Sequence, residues 1–264
     1  MQERINWNGS TPRDAQERAG LKFGDRGMHT SRTMMLAELE ELLEVIPDLE
    51  SRDVYAHAII QENALGKATA SNRRLTNQRL GELYGLDSVI PLFRILHRLW
   101  RADPGGRPLL ALLSALARDP LLRVTATAIL ELPAGSEIDR TRLLAILGDA
   151  TEGRLNPSSQ DKVARNAGSS WTQSGHLNGR VRKVRTLVEP TPGSIALALW
   201  LGEIQGLAGE MLLSSPWAQV LDAPPSRLLD LTLRAKQMGL VSARVGGGVI
   251  QIDATGLDPA VGGA

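Results

Sequence analysis

The chain has 264 residues, 42% hydrophobic and only 3% aromatic, with a formal net charge of +1 at pH 7. That apolar share sustains a core and excludes a disordered chain, and its Leu/Ala/Val/Ile mix favours helices over a large sheet. With no cysteine, disulfides, thiolate metal sites and a cysteine nucleophile are excluded, and a reducing compartment fits.

Residues 1–27 are polar and Gly-punctuated, and Met28 follows at once. They read as a flexible leader, or as a start codon placed too early. From Ser31 to Ile46, Met35, Leu39, Leu42, Leu43 and Ile46 recur at helical spacing. A second helix fits 51–67 with Ser51 as N-cap, and a third fits 71–85. On a 100° wheel the third puts Leu75, Leu80 and Leu83 on one face and Arg73, Arg74, Asn77 and Gln78 on the other. Residues 88–101 predict a fourth helix with Val89, Leu92, Phe93, Leu96 and Trp100 as its expected buried stripe. The apolar stretch from Pro108 to Ala117 should be central in a bundle. At ten residues it is about half of a bilayer span. Asp119 as N-cap with Pro120 behind it starts a helix ending near Pro133. Residues 28–132 therefore read as an all-helical domain.

"PAGSE" at 133–137 marks the best boundary. Beyond it come a helix over 137–150 and another from near Ser158 towards Gly175. "RVRKVRTLV" (180–188) reads as a strand or a helix continuation. An apolar helical run (191–213), a short helix (214–222) and a longer one stopped by Gly239 follow. Two β-type runs across a triple glycine then predict a hairpin near 240–253, and 254–264 reads as a loose tail. Helix, turn, helix and hairpin is the order of a winged helix, met loosely at 137–188 and at 214–253. The expected fold is mainly α: a helical-bundle N-terminal domain, then a winged-helix-like domain with a small hairpin over 133–253.

Charge is uneven. Residues 1–50 hold ten acids and six bases, whereas 154–185 holds seven bases and one acid, Asp161. Such a basic stretch suits phosphate, and equally a solvated face. With Lys162 at zero on the wheel, Arg165, Asn166, Ser169 and Gln173 fall within about 60° and Ser170 at about 80°, while Val163, Ala164, Ala167 and Trp171 lie opposite. Lys and Arg hold phosphates or guanine edges, Asn and Gln can pair bidentately with adenine, and serines donate to phosphate. Arg180, Arg182, Lys183 and Arg185 then hold the flanking backbone, and Arg73 and Arg74 are a possible extension.

The catalytic alternative uses Ser169, Ser170 and His176. It needs a base within reach and an orienting acid, and it lacks a G-x-S-x-G elbow and an evident strand–turn–helix context. His176 reads better as a cap or phosphate contact, and Trp171 as core. Neither HxxxH nor HExxH occurs among His29, His57, His97 and His176, so a zinc site has no support. The N-terminus lacks the order of a signal peptide. These features read as a cytoplasmic non-enzyme with no cofactor and no membrane partner, binding double-stranded DNA. The rivals are a scaffold whose basic face docks an acidic protein of the same locus, and a transcriptional regulator.

The stretch 62–84, "ENALGKATASNRRLTNQRLGELY", resembles the early helical signature of the BrxA-like proteins of bacterial BREX phage-exclusion systems. The positions carrying it are Asn63, Leu65, Lys67, Thr69, Arg73, Arg74, Arg79 and Leu80. The closing "AKQMGLV…GGGVIQI" is similar to that family's last helix and hairpin. The resemblance implies a non-enzymatic, duplex-DNA-binding component of a phage-defence cluster, with other defence proteins as further partners.

Overall fold

A computed structural model describes residues 5–7, 9–24, 26–247 and 249–260. Among them the chain is mainly helical. The helices are α1 (Arg13–Arg18), α2 (Leu36–Val45), α3 (Arg52–Ile60), α4 (Ala70–Tyr84), α5 (Pro91–Ala102), α6 (Arg107–Arg118), α7 (Pro120–Val124), α8 (Ala126–Leu130), α9 (Arg140–Thr151) and α10 (Pro157–Gln173). Two short strands, β1 (Leu177–Asn178) and β2 (Val184–Arg185), come next. Then follow α11 (Pro192–Ile204), α12 (Pro216–Gln219), α13 (Pro225–Gln237), β3 (Ser242–Gly246) and β4 (Val249–Asp253). No helix among the described residues is long and apolar enough to cross a membrane.

Two helices that are apolar all round occupy the centre. Every residue of α6 from Leu109 to Arg118 is buried, and so is every residue of α11 from Gly193 to Gly202. A helix without a polar face must be covered on all sides. Accordingly α11 packs against α5 and α6 on one side and α12 and α13 on another. Its start is set by a capping box between Thr191 and Ser194 with Pro192 at the first position. The main core runs from Ala19 to Leu257 and takes side chains from both sides of residue 133. A smaller cluster (Leu121, Ala128, Leu143, Leu147, Val163, Ala164) joins α7, α8, α9 and α10.

The expected leader is corrected over its described part. Leu21 is buried, Lys22 N donates to Ala117 O, and Trp7 meets Trp217 edge-on at 4.8 Å. Two buried arginines do much of this tethering. Arg118 donates to Gly20 O and Glu82 O, and Arg123 to Lys22 O, Leu116 O and Ala117 O. Burial pushes both guanidinium groups down to about 10. Residues 1–4 lie outside the described residues. The expected loose tail is likewise docked over 254–260: Arg94 grips the Asp258 carboxylate at 2.7 and 2.6 Å, and Ala254 and Leu257 are buried. Residues 261–264 lie outside the described residues.

Several helix ends also differ. α2 starts at Leu36, not Ser31, because Met35 takes a left-handed conformation (φ 54°). α3 stops at Ile60, ahead of left-handed Asn63 and Gly66. The helix expected to run from 120 to 133 breaks at Thr125, whose hydroxyl donates to Leu122 O and accepts from the Trp171 indole.

The two small sheets are antiparallel. In one, β1 pairs with β2 (Leu177 with Arg185, Asn178 with Val184), and Glu137 bridges to the far side of Val184. The 180–188 stretch is thus a turn followed by a short strand, not a helix continuation. In the other, β3 and β4 pair from Ser242–Asp253 to Gly246–Val249, as the hairpin signal predicts.

Candidate nucleic-acid interface

Asn156 caps α10 by accepting from Ser159 N at 2.8 Å, and Pro157 takes the first helical position. The apolar face is buried as the wheel predicts: Val163, Ala164, Ala167 and Trp171. The Trp171 indole donates to Thr125 Oγ1 at 2.8 Å. This anchors α10 on the break between α7 and α8.

The polar arc is split in two. Half of it is covered by the segment 28–36, a 3-10 turn followed by irregular chain. That segment has few internal hydrogen bonds, so its backbone groups need outside partners. α10 supplies them. Asn166 Nδ2 donates to His29 O at 2.8 Å, Leu36 N donates to Gln173 Oε1 at 3.0 Å, and Met34 N donates to Ser170 Oγ at 2.8 Å. Asn166 and Gln173 are therefore fastenings of the fold, which corrects their expected place at bases.

Ser170 also ends a buried relay. His29 Nε2 lies 2.7 Å from Ser170 Oγ, and His29 Nδ1 lies 2.7 Å from Asp119 Oδ2. The spacing is that of a serine–histidine–aspartate triad. All three residues are fully buried, so no substrate reaches the hydroxyl, and Ser170 Oγ is already engaged by Met34 N and Asn166 O. The relay joins the 28–36 segment, α10 and the start of α7. Burial alone would push the Asp119 carboxyl up; His29 and the Leu122 and His29 N–H groups outweigh it and hold the group below its ordinary value. Asp119 is readable as an N-cap, which it is, accepting from Leu121 N and Leu122 N. Its second role depends on a histidine ninety positions away, which no local pattern signals.

The other half of the arc faces solvent. Lys162 and Arg165 are exposed and Ser169 is half-buried. Lys162 has no hydrogen-bond or ion-pair partner among the described residues. Arg165 Nε lies 3.3 Å from Asp161, which also pairs with Arg140.

Beside this flank stands the turn from Gly179 to Lys183. A side chain at Gly179 would collide with Arg182 O, and its φ is +105°, so the turn needs glycine there. Arg180 is exposed, Val181 is 92% exposed, and the Arg182 side chain is 84% exposed with Glu137 at 3.6 Å. Lys183 lies back on α10, donating to Thr172 Oγ1 at 2.8 Å, and partial burial lowers its pKa.

The remaining sites fall elsewhere. Arg185 is 1% exposed and forms a two-pronged pair with Asp222, one arm at 2.9 Å, while its Nε donates to Ile129 O. A strand alternates its side chains, and Arg185 is on the inward side. It is thus a core ion pair and not a phosphate contact. His176 is also corrected: it is fully buried, donates Nε2–H to Val220 O at 2.7 Å, and burial pushes it down to about 4. Arg73 Nη1 donates to Ile60 O at 3.0 Å, whereas Arg74 is exposed on α4 and does not line the crevice beside α10.

Arg165, Ser169, Arg180 and Lys183 therefore come together, with Lys162 one turn earlier on the same stripe. Sequence reading missed Arg140, the first residue of α9, which lines the same crevice. It falls outside the basic run, and the pairing of residues 135–138 with 183–185, together with its own pair to Asp161, brings it there. The chain matches no family model, and no curated protein and no solved structure is significantly similar to it.

Proposed function

We propose that this protein binds double-stranded DNA through the solvent-facing flank of α10 and the 179–183 turn, and acts by binding and not by catalysis. The carrying observation is the turn itself. It holds Arg180 and Arg182 out in solvent, next to the exposed Lys162 and Arg165 of a 17-residue helix. Helix pair α7–α8, the strand residue Glu137, α9, α10, β1, turn and β2 follow one another in the order of a winged helix, with β2 between its two partners. In that arrangement α10 enters the major groove, and the turn lies along the backbone or the minor groove, where arginines are favoured. Ser169 and Lys183 serve phosphates at the edge.

The phage-defence setting is part of the proposal and rests on the 62–84 resemblance. Several of its positions have structural duties: Thr69 caps α4, Lys67 pairs with Glu38 at 3.2 Å, and Arg79 pairs with Glu82 at 3.1 Å. They support a shared fold of this segment more than a shared DNA contact.

The test is fluorescence anisotropy of a labelled duplex at about 50 and 200 mM salt. Four cations each neutralising one phosphate weaken binding by roughly 150-fold between these salts. Absence of binding at the lower salt overturns the reading and turns the search to an acidic protein partner.

A further inference from the structure

Between α9, α10 and the turn lies a crevice of about 420 Å³, the size range of small-ligand sites. Its chemistry is two-part. The floor is apolar, made by Ile138, Leu143 and Ala164. Arg140, Arg165, Ser169, Arg180 and Lys183 also line it. Among the lining residues one acid, Glu137, is on the rim and lies 3.6 Å from Arg182, and beside the crevice Asp161 pairs with Arg140 and Arg165, pairs that a bound phosphate would have to share or displace. At Gly168 the lysine stem lies along α10, with Lys183 Cδ and Cε at van der Waals distance from where a Cβ would stand.

Backbone phosphate alone would need the cations and no apolar floor. Aliphatic carbon beside several cations suits a planar ring joined to a phosphate. We propose that this crevice is a nucleotide subsite, taking one unpaired nucleotide with its ring on Ile138, Leu143 and Ala164 and its phosphate among Arg140, Arg165, Arg180 and Lys183. The inference shares residues with the duplex-binding reading and rests on it for one of two sources: an unstacked nucleotide of the bound DNA, or a free nucleotide.

The experiment uses the full chain. Anisotropy compares a fully paired duplex with the same duplex carrying one extra unpaired thymidine. Calorimetry titrates thymidine 5′-monophosphate, with inorganic phosphate as control. An unpaired base saves the cost of unstacking, so the bulged duplex should bind at least about tenfold tighter. Ser169→Phe, which fills the crevice from a half-exposed position, should erase that preference, and so should Arg180→Glu in the exposed turn; circular dichroism checks that both remain folded. Heat with the thymidine nucleotide and none with phosphate supports the free ligand as a source. Equal binding of both duplexes, together with no nucleotide heat, overturns the subsite and leaves duplex binding standing. If neither duplex binds, the proposed function falls, and the nucleotide titration alone decides the crevice: heat supports it and no heat overturns it.

Discussion

The two flanks of α10 are both polar and do opposite work. Asn166, Ser170 and Gln173 are neutral groups that both donate and accept, whereas Lys162 and Arg165 are cations that only donate, and the two sets lie within about 140° of each other on the helix. One set is consumed by the backbone of residues 29–36; the other meets solvent. The lesson is that a polar arc on a helix is shared between structure and function by whatever chain happens to cover it. Here a single stretch without regular structure makes the division.

The largest effect should come from the covered flank. Asp119→Ala leaves His29 without its carboxylate in a dry site and should cost about 3–5 kcal/mol in urea unfolding. The comparison breaks if Asp119→Ala is as stable as the wild type. A second effect is carried by pH. His176 sits against Trp171 at 4.9 Å at the end of the same helix. Its pKa is about 4 when folded and its ordinary value is 6.5. The unfolded chain therefore takes up the proton first. Stability from this group is fully present above pH 6.5 and is lost as the pH falls towards 4, by up to about 3 kcal/mol. His176→Gln should flatten that part of the stability–pH curve.

On the exposed flank the order of effects reverses. Arg180→Glu with Arg182→Glu should leave stability within about 0.5 kcal/mol. Duplex affinity at moderate salt should drop at least about tenfold, with the salt slope shallower by about 2. A change in melting temperature without a change in binding would put these residues on the wrong side of the comparison. The smallest effect sharpens it. Asp161 holds Arg140 and Arg165, and Asp161→Asn should raise duplex affinity roughly twofold to fivefold, the range of an exposed ion pair.

Much of the fold was legible because helix period and caps are local. Thr69, Asp119, Asp139 and Asn156 all accept from the first turn of the helices they precede. The β3–β4 hairpin was legible from its glycines. The buried face of α10 was legible too, since Trp171 and three small residues share it. What was not legible was tertiary demand. Residues 9–24 are polar in composition, yet Arg118 and Arg123 reach out from the core to hold their carbonyls. Arg185 is the fourth basic residue in the six positions after Gly179 and looks like its neighbours; its partner Asp222, thirty-seven residues later, helps make it a core group. The same limit hid Arg140 and the His29 relay.

The buried position of α11 has a consequence for biosynthesis. α6 is apolar on every side, and one of its main covers, α11, begins eighty-five residues later. At about 5–20 residues per second, roughly 4–17 s pass between the emergence of the two helices. During that time a helix whose central stretch is almost wholly apolar lacks part of its native cover while α7 to α10 are still being added. Chaperone demand on the nascent chain should therefore peak before residue 192 leaves the ribosome and fall once α11 is in place.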